Sequence, residues 1–568
     1  MKKTWMRSIA VLLSLVLFCS ALPVVSAADG VYGPYDYEAY ALEDGQSEPI
    51  RSASMSSLEK GFYNLLNRIA EGLLQIVTAI YPTPASWESI DSYQGENFLP
   101  GRETYATEAA QGNAWYLGYA SNSIIPEDFE AGKYYIGRDL TNRLAQGVQD
   151  DNRVRAVAID DNSGEGLVVF AVVDGLGVTS ADTRAVRAAV LDWAETQGIK
   201  IAALNLSASH SHSALDTQGV ATESIYKILT ASFKNLFEVA EDDPRLKNAE
   251  AFKEFYVNTT IETVKEAILD RQAGDLYYTQ VDGSDYIKDK RGLIAPEDIP
   301  LIASLKFVPA DGSEGIYMAD ISCHPTSFSA SHGLLSSDYI YYMEQRIQEK
   351  TGYHFLFIQG ASGQLARMGL NVDEEQLPEE ERLGANTRYS GKVFADLILA
   401  ADDGSMEKLE PVLNAKYMEY TFTPENDILV LAVKAGLVNN AVYTTDNPLE
   451  PVILMEEGYV ELGGRVGFGI VPVELYPEVF YGSEIIGDLS WDGTSWDYAA
   501  MVDMAPEGVD LYAMPLSNDS LGYCVLDNNY AFFGHIIGDE IADEVLSLGG
   551  HTASAVVTHF EELMAACQ

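Results

Sequence analysis

Apolar residues recur at helical intervals in one segment near the N-terminus. Between residues 55 and 81, Ser56 and Glu59 have the spacing of a capping box, and Pro82 ends the pattern. The apolar positions are Phe62, Leu65, Leu66, Ile69, Leu73, Ile76, Val77 and Ile80. This pattern predicts an amphipathic helix that either docks on the main domain or lies on a membrane surface. The absence of a basic polar face favours docking.

From about Trp115 onward, short apolar runs alternate with segments of helical composition. The runs predict strands at Val154–Asp160, Leu167–Asp174, Ile201–Leu206, Leu301–Phe307, Ile316–Ser322, Phe355–Gln359, Ile428–Val433 and Val466–Val473. The helical segments are Ala181–Gly198, Ser224–Ala240, Ala249–Ala273 and Tyr339–Gly352. Such alternation is typical of a mixed α/β fold in which helices cover β-sheets. Because no linker interrupts the pattern, we expect residues 110–568 to form one large domain.

The first 54 residues differ in character from the rest. Lys2, Lys3 and Arg7 precede an apolar run, and small residues precede Ala28. Residues 1–27 are therefore predicted to be a secretory signal peptide that is cleaved after Ala27. The run is shorter than the roughly twenty residues that a retained membrane anchor needs. Residues 28–54 are polar and acidic, and we expect them to form a tether.

Charge and cysteine content exclude several classes of protein. The chain has 36 basic and 85 acidic residues, a net charge of −49, and 47% hydrophobic residues. A disordered chain lacks that apolar content, and a nucleic-acid-binding surface needs a basic excess. Export would leave three cysteines, Cys323, Cys524 and Cys567, which are too few for a disulfide framework. A metal site would therefore use histidine, carboxylate or phenol ligands.

Histidines follow two of the predicted strands. His210 and His212 come directly after Ile201–Leu206 and are separated by one residue. In extended geometry such residues share a face and stand roughly 6–7 Å apart, so that one could bind a metal while the other acts beside it. The alternative is a pair of surface histidines in a serine-rich loop. His324 follows the strand that begins at Ile316, and it is either a ligand or a hydrogen-bonded structural histidine.

Three further segments carry candidate chemistry. The small-residue loop Gln359–Gln364 follows a strand and contains Ser362, in a position suited to a nucleophile or to a simple tight turn. Glu474 follows an apolar strand, and Tyr523 follows a polar loop. Two imidazoles, a carboxylate and a phenolate oxygen are compatible ligands for one Zn²⁺.

These motifs, in this order, resemble the catalytic domain of the neutral/alkaline non-lysosomal ceramidases. The likeness rests on five segments: His210-Ser-His212-Ser, Cys323-His324-Pro-Thr-Ser with Leu335-Ser-Ser-Asp338-Tyr, Gln359-Gly-Ala-Ser-Gly, Pro472-Val-Glu474 and Asn518-Asp-Ser-Leu-Gly-Tyr523. It covers about 410 of 568 residues, from Trp115 to Tyr523. The resemblance implies a zinc site formed by His210, His324, Glu474 and Tyr523. It also implies a proton-transfer or supporting role for His212. The family's substrate-binding Asn-Arg segment is loosely similar to Lys288–Arg291, which implies a substrate-binding basic residue at Lys290 or Arg291, with Arg291 as the leading candidate.

The chain departs from the family pattern at the nucleophile. The family loop reads Gly-Asp-Val-Ser-Pro, whereas this chain has Gly363-Gln364-Leu365-Ala366-Arg367, so that Ala366 replaces the serine. Ser362 could substitute only if the loop were reshaped. Without a serine, water activated by the metal could still cleave a carbon–nitrogen bond.

The family's function sets the leading expectation for this chain. The resemblance implies a secreted zinc-dependent amidohydrolase that cleaves the N-acyl bond of ceramide or a related lipid, with possible transient contact with a membrane surface. The alternatives are hydrolysis of another amide or ester by the same centre, and a non-catalytic ligand-binding descendant.

Overall fold

The computed structural model describes residues 55–138, 143–221, 244–291, 294–402, 404–434, 441–447, 450–482, 490–531 and 543–567. The predicted signal peptide, the predicted tether and the predicted helix Ser224–Ala240 lie outside these ranges. The helices of the described residues are α1 (Ser57–Ile80), α2 (Ser180–Gln197), α3 (Pro244–Leu269), α4 (Tyr339–Thr351), α5 (Ala385–Ala401), α6 (Asp427–Lys434), α7 (Pro477–Tyr481) and α8 (Thr552–Ala565). None of them is both long and apolar enough to span a bilayer.

The strands of the described residues, in chain order, are β1 (Trp115–Ser123), β2 (Gly147–Val148), β3 (Arg153–Asp160), β4 (Leu167–Val173), β5 (Ile201–Ala208), β6 (Gln272–Val281), β7 (Ile287–Asp289), β8 (Ile302–Pro309), β9 (Ile316–Ile321), β10 (Leu334–Leu335), β11 (His354–Gln359), β12 (Leu365–Arg367), β13 (Glu407–Lys408), β14 (Leu413–Phe422), β15 (Val442–Tyr443), β16 (Val452–Leu462), β17 (Val466–Ile470), β18 (Glu474–Leu475), β19 (Asp510–Met514) and β20 (Tyr523–Cys524).

One large sheet carries most of the candidate site. Within the described residues it has nine strands in the order β11-β9-β8-β6-β1-β3-β4-β5, with β13 paired to β6. Only Trp115–Leu117 of β1 pairs with β6, whereas β1 pairs with β3 over its length. The Tyr119 hydroxyl on β1 donates to the Phe355 carbonyl on β11 over 3.3 Å, although these strands are not neighbours in the sheet. The sheet therefore folds back at this narrow junction. This fold-back brings the two ends of the sheet close together.

A second sheet packs against the first. It has the order β14-β16-β17-β19, with β15 paired to β16. Alternate residues of the large sheet face this second sheet, as in the edge-to-face contact of Phe170 and Phe468 at 5.6 Å. The other faces lie under helices, with α2 and α3 on one part of the large sheet, α4 and α5 on another, and α8 on the second sheet. The architecture is mixed α/β with helix-covered sheets, as the sequence predicts.

The prediction of a strand at Ile428–Val433 is wrong. These residues lie in helix α6, where the Asn426 side chain accepts a hydrogen bond from the Ile428 amide at 3.0 Å and caps the first turn. A short apolar run cannot by itself distinguish a buried strand from a buried helix. The packing of Leu431 against Leu74 of α1 stabilises the helical choice here.

Candidate active site

The side chains of His210 and His324 meet at the ends of β5 and β9. Their Nε2 atoms lie 3.1 Å apart, and both residues are almost fully buried. Each ring anchors its Nδ1 atom on a backbone carbonyl, at 2.8 Å on Leu176 for His210 and at 3.3 Å on Leu365 for His324. Because those contacts favour a proton on Nδ1, the Nε2 lone pairs face each other and can bind a cation.

Glu474 completes this group of converging atoms. Its Oε1 atom lies 3.2 Å from His210 Nε2 and 2.9 Å from His324 Nε2. These contacts lack hydrogen-bond geometry, so Oε1 is a buried oxygen without a hydrogen-bond partner. Donor atoms bonded to one tetrahedral zinc lie about 3.3 Å apart. The spacing and the unsatisfied oxygen therefore fit a metal between the three side chains.

Two residues compete for a fourth position beside this trio. His212 Nε2 lies 3.3 Å from His210 Nε2, and the three histidines alone form a group that could hold a metal ion. Tyr523 lies directly opposite Glu474 in the β18–β20 pair, and its phenol interacts with the Glu474 carboxylate. Burial, followed by the charges of Glu474 and Asp543, raises the pKa of Tyr523 well above its usual value.

The serines around the histidines tie three loops together. Ser211 donates from its hydroxyl to the Ser336 carbonyl over 2.9 Å, and Ser213 donates to the Phe328 carbonyl over 2.7 Å. Asp338 accepts from the Phe328 amide at 2.6 Å and from the Ser327 hydroxyl. The serine-rich loop is therefore a buried scaffold rather than a surface segment. It also holds His210 at a φ of +63°, a conformation that few residues other than glycine adopt.

Electrostatics separate the roles of the titratable groups. Burial raises the pKa of Glu474, but the neighbouring imidazoles of His210 and His324 outweigh burial and lower this pKa to about 2. Burial lowers the pKa of His324 to about 4. Burial, and then the charges of His210 and His324, lower the pKa of His212 well below its usual value. At neutral pH, Glu474 is therefore ionised and His212 is a neutral base.

Lys290, the alternative to Arg291 in the loosely matched segment, borders the site. Its charge opposes protonation of all three site histidines, although Glu474 outweighs burial and Lys290 at His210 and raises the pKa of that histidine; burial lowers the pKa of Lys290 itself. It forms no hydrogen bond or ion pair with a described side chain, and part of it reaches solvent. Arg291 instead lies against Asp289 at 3.0 Å and Glu478 at 2.6 Å, and it is buried. A substrate-binding role for Arg291 stays a prediction.

A carboxylate from the C-terminal part of the chain also borders the site. Asp543 accepts a hydrogen bond of 2.6 Å from Gln364 Nε2 and another from the Tyr476 hydroxyl. Burial and the charge of Glu544 raise the pKa of Asp543 to about 7. Nothing in the sequence around Asp543 signals this position, because it depends on tertiary packing alone.

Two positions after β11, Ser362 in the loop and Ala366 on β12, decide whether the site has a nucleophilic serine. Ser362 is buried, and its hydroxyl has no hydrogen-bond partner among the described residues, so no base activates it. Ala366 lies on β12 opposite Lys288 of β7, and it is 7% exposed. The position that the sequence resemblance aligns with the family's serine is therefore filled by a methyl group opposite Lys288.

Comparison with known proteins identifies the fold. No family model and no curated protein matches the sequence. Among solved structures, the neutral ceramidase from Pseudomonas aeruginosa superposes with a TM-score of 0.56 at 15% identity, over 80% of this chain and 75% of that chain. A structure described as a ceramidase complexed with C2 superposes with a TM-score of 0.54 at 14% identity, over the same shares of the two chains. The chain has a neutral ceramidase-like fold.

Proposed function

We propose that this protein is a secreted zinc-dependent amidohydrolase that cleaves the N-acyl amide bond of ceramide or a related lipid. The observation that carries the proposal is the convergence of His210, His324 and Glu474 within a ceramidase-like fold. The ligand set would be these three residues with Tyr523. Secretion rests on the leader of residues 1–27 that the sequence predicts.

The chemistry that zinc supplies when bound is polarisation of the acyl carbonyl and acidification of the attacking water. The chain itself must move a proton. His212 is neutral at pH 7 and lies beside His210, so it can accept the proton of the attacking water and return it to the leaving nitrogen. One water and one amide give one carboxylic acid and one amine, with no acyl-enzyme on the path.

Lys290 supplies the positive charge that the substrate side of the site needs. Its ammonium group is close enough to act on the histidines electrostatically, and it forms no hydrogen bond or ion pair with the residues that the structure describes, so it is available to a hydroxyl or carbonyl oxygen of the substrate. Arg291, held by Asp289 and Glu478, supports the turn after β7 that carries Lys290.

The decisive experiment follows turnover of a fluorescent short-chain ceramide by the purified protein, with and without a chelator. Release of the fluorescent acid that stops with the chelator and resumes with added Zn²⁺ supports the proposal. Turnover that is indifferent to the chelator contradicts the metal-dependent mechanism. A metal-loaded, folded protein that leaves every N-acyl substrate intact contradicts the enzyme assignment.

Ala366 supports a second candidate, hydrolysis of a different amide or an ester at the same centre. A site without the family's serine depends on direct attack by water, which suits substrates with a better leaving group than an alkylamine. A panel of aryl esters, N-acyl amino acids and ceramides separates the two candidates by their kcat/KM values.

A further inference from the structure

Helix α1 exposes most of its large apolar side chains on the face that points away from the protein. Asn67, Leu74 and Thr78 are buried against the protein. The large apolar residues that are 45% to 86% exposed are Leu58, Phe62, Leu65, Ile69, Leu73, Ile76 and Ile80. At about 100° per residue, this set lies opposite the buried one. The usual arrangement, apolar inward and polar outward, is thus reversed.

Polar contacts fix this orientation. Asn64 accepts a hydrogen bond of 2.8 Å from the Trp491 indole, and Lys60 donates to the Ser490 carbonyl over 2.7 Å. Lys434 of α6 donates to the Thr78 carbonyl over 3.1 Å. The inner face is therefore held by specific partners, and turning the helix over would break them. The outer apolar stripe is therefore a fixed feature of the fold, and a contiguous exposed apolar face of this kind is typical of an interaction surface.

We propose that the outer face of α1 binds the surface of a zwitterionic lipid bilayer or micelle. The seven apolar residues follow one another at intervals of four, three, four, four, three and four positions. This spacing departs from the 3.5-residue period of a left-handed coiled coil, so the stripe runs nearly parallel to the helix axis. A straight stripe matches a flat apolar surface better than it matches a second supercoiling helix.

Charge selects the kind of lipid surface. The helix contains two acidic residues, Glu59 and Glu71, and two basic residues, Lys60 and Arg68, so its own net charge is zero. The whole chain has a net charge of −49, and an anionic membrane would repel it. Binding must then come from apolar burial alone, which favours neutral headgroups such as phosphatidylcholine.

A short path of contacts links helix α1 to the active site. Helix α1 packs on α6, and Asn426 at the start of α6 donates to the carbonyls of Val545 and Ser547 over 2.8 and 2.7 Å. The 3₁₀ turn Asp543–Leu546 begins with Asp543, which accepts from Gln364 in the site loop, and ends with Leu546, which is 47% exposed. The inference rests on the proposed function only in that a lipid substrate would be met at the surface to which α1 binds.

The test is flotation of the full chain with phosphatidylcholine vesicles. We expect the wild type to float with the vesicles. Ile69→Glu should lose about tenfold or more in vesicle partitioning, because a charge replaces an apolar side chain that enters the lipid in the bound state. The matched control is Arg68→Gln, which changes the charge by the same amount on the flank of the helix and should float like the wild type. Because Ile69 is half exposed, circular dichroism and the Tm should be unchanged in both variants.

Other outcomes would overturn the proposal. Wild-type flotation that Ile69→Glu leaves unchanged, or that requires phosphatidylserine, contradicts it. Failure to float, combined with a dimer in sedimentation that Ile69→Glu dissociates, assigns the face to a second copy of the chain. Failure to float as a monomer assigns it to another segment of the same chain. Flotation needs no turnover, so a protein that floats without hydrolysing ceramide would retain this inference and lose the proposed function.

Discussion

The Nε2 atoms of His210 and His324 lie 3.1 Å apart although 114 positions separate the two residues in the chain. The strands that precede them, β5 and β9, lie near opposite ends of the same sheet. Their meeting depends on the fold-back of the sheet, and with Glu474 they form the centre of the candidate site. The predictions below test what this centre binds and what the groups around it do.

Glu474→Gln and His324→Ala should each remove most of the metal from the purified protein. Each substitution takes away a charge or a donor atom from the centre of the ligand set, where His210, His324 and Glu474 converge. Mass spectrometry of metal content after expression in zinc-replete medium measures the effect, with the exposed His551→Ala as the control. Less than about a third of a zinc per wild-type chain would contradict the site.

Tyr523→Phe and His212→Ala should separate metal binding from proton transfer. If Tyr523 is the fourth ligand, Tyr523→Phe weakens zinc affinity, while His212→Ala keeps the metal and lowers kcat by about 10² to 10⁴. Competition with a fluorescent chelator gives the affinities, and turnover of short-chain ceramide gives the rates. Loss of zinc in His212→Ala with retention in Tyr523→Phe would instead make the three histidines the ligand set.

Ser362→Ala should retain most of the activity. Among the described residues the Ser362 hydroxyl has no partner that could activate it, and the sequence resemblance aligns Ala366 with the family's serine. Intact-mass spectrometry during turnover should find no acyl-enzyme. A covalent adduct on Ser362, or an inactive Ser362→Ala protein that is folded and metal-loaded, would restore a serine pathway through a rearranged loop.

Lys290→Met and Arg291→Met should separate substrate binding from stability. The Lys290 ammonium has no partner in the described part of the chain, so Lys290→Met should lower kcat/KM by about ten- to a hundredfold without changing the Tm. Arg291→Met leaves Asp289 and Glu478 buried without their counter-charge and should lower the free energy of unfolding by about 3–5 kcal/mol. A stable Arg291→Met protein with a raised KM would return substrate binding to Arg291.

Asp320→Asn should change how stability depends on pH. Burial raises the pKa of Asp320 well above its usual value, and neither carboxyl oxygen has a hydrogen-bond partner among the described residues. The folded state keeps a proton that the unfolded state releases near pH 4, so stability falls by about 1.4 kcal/mol per pH unit as pH rises above that value. Asparagine cannot ionise, so the variant should lack this slope. Urea unfolding between pH 4 and 8 measures the slope, with the exposed Asp503→Asn as the control.

Local patterns predicted the parts of the fold that local forces determine. The strands before His210 and His324 are apolar runs bounded by polar residues, and the Ser56 capping box begins α1 as its spacing requires. The sequence motifs also brought His210, His324, Glu474 and Tyr523 into one set before their positions were known. The structure brings the first three together and sets Tyr523 beside Glu474.

Features that depend on packing between distant segments escaped prediction. Lys290 and Arg291 are adjacent basic residues, and only the positions of Asp289 and Glu478 determine which of them is paired. Asp543 reaches the site from the C-terminal segment through Gln364 and Tyr476. The outward stripe of α1 is equally hidden, because periodicity identifies an apolar face without showing what lies against it.

The narrow junction between β1 and β6 means that the two histidines of the site lie on two weakly connected halves of the sheet. His210 belongs to the half of the sheet that includes β3, β4 and β5, and His324 belongs to the half that includes β6, β8, β9 and β11. Three residue pairs connect the halves along the sheet. A cation bound by both histidines would cross-link the two halves at a second point. Its removal should therefore lower the resistance of the whole sheet to deformation, and not that of the site alone. Force applied across the two halves should therefore rupture the metal-loaded protein at a higher load than the metal-free protein.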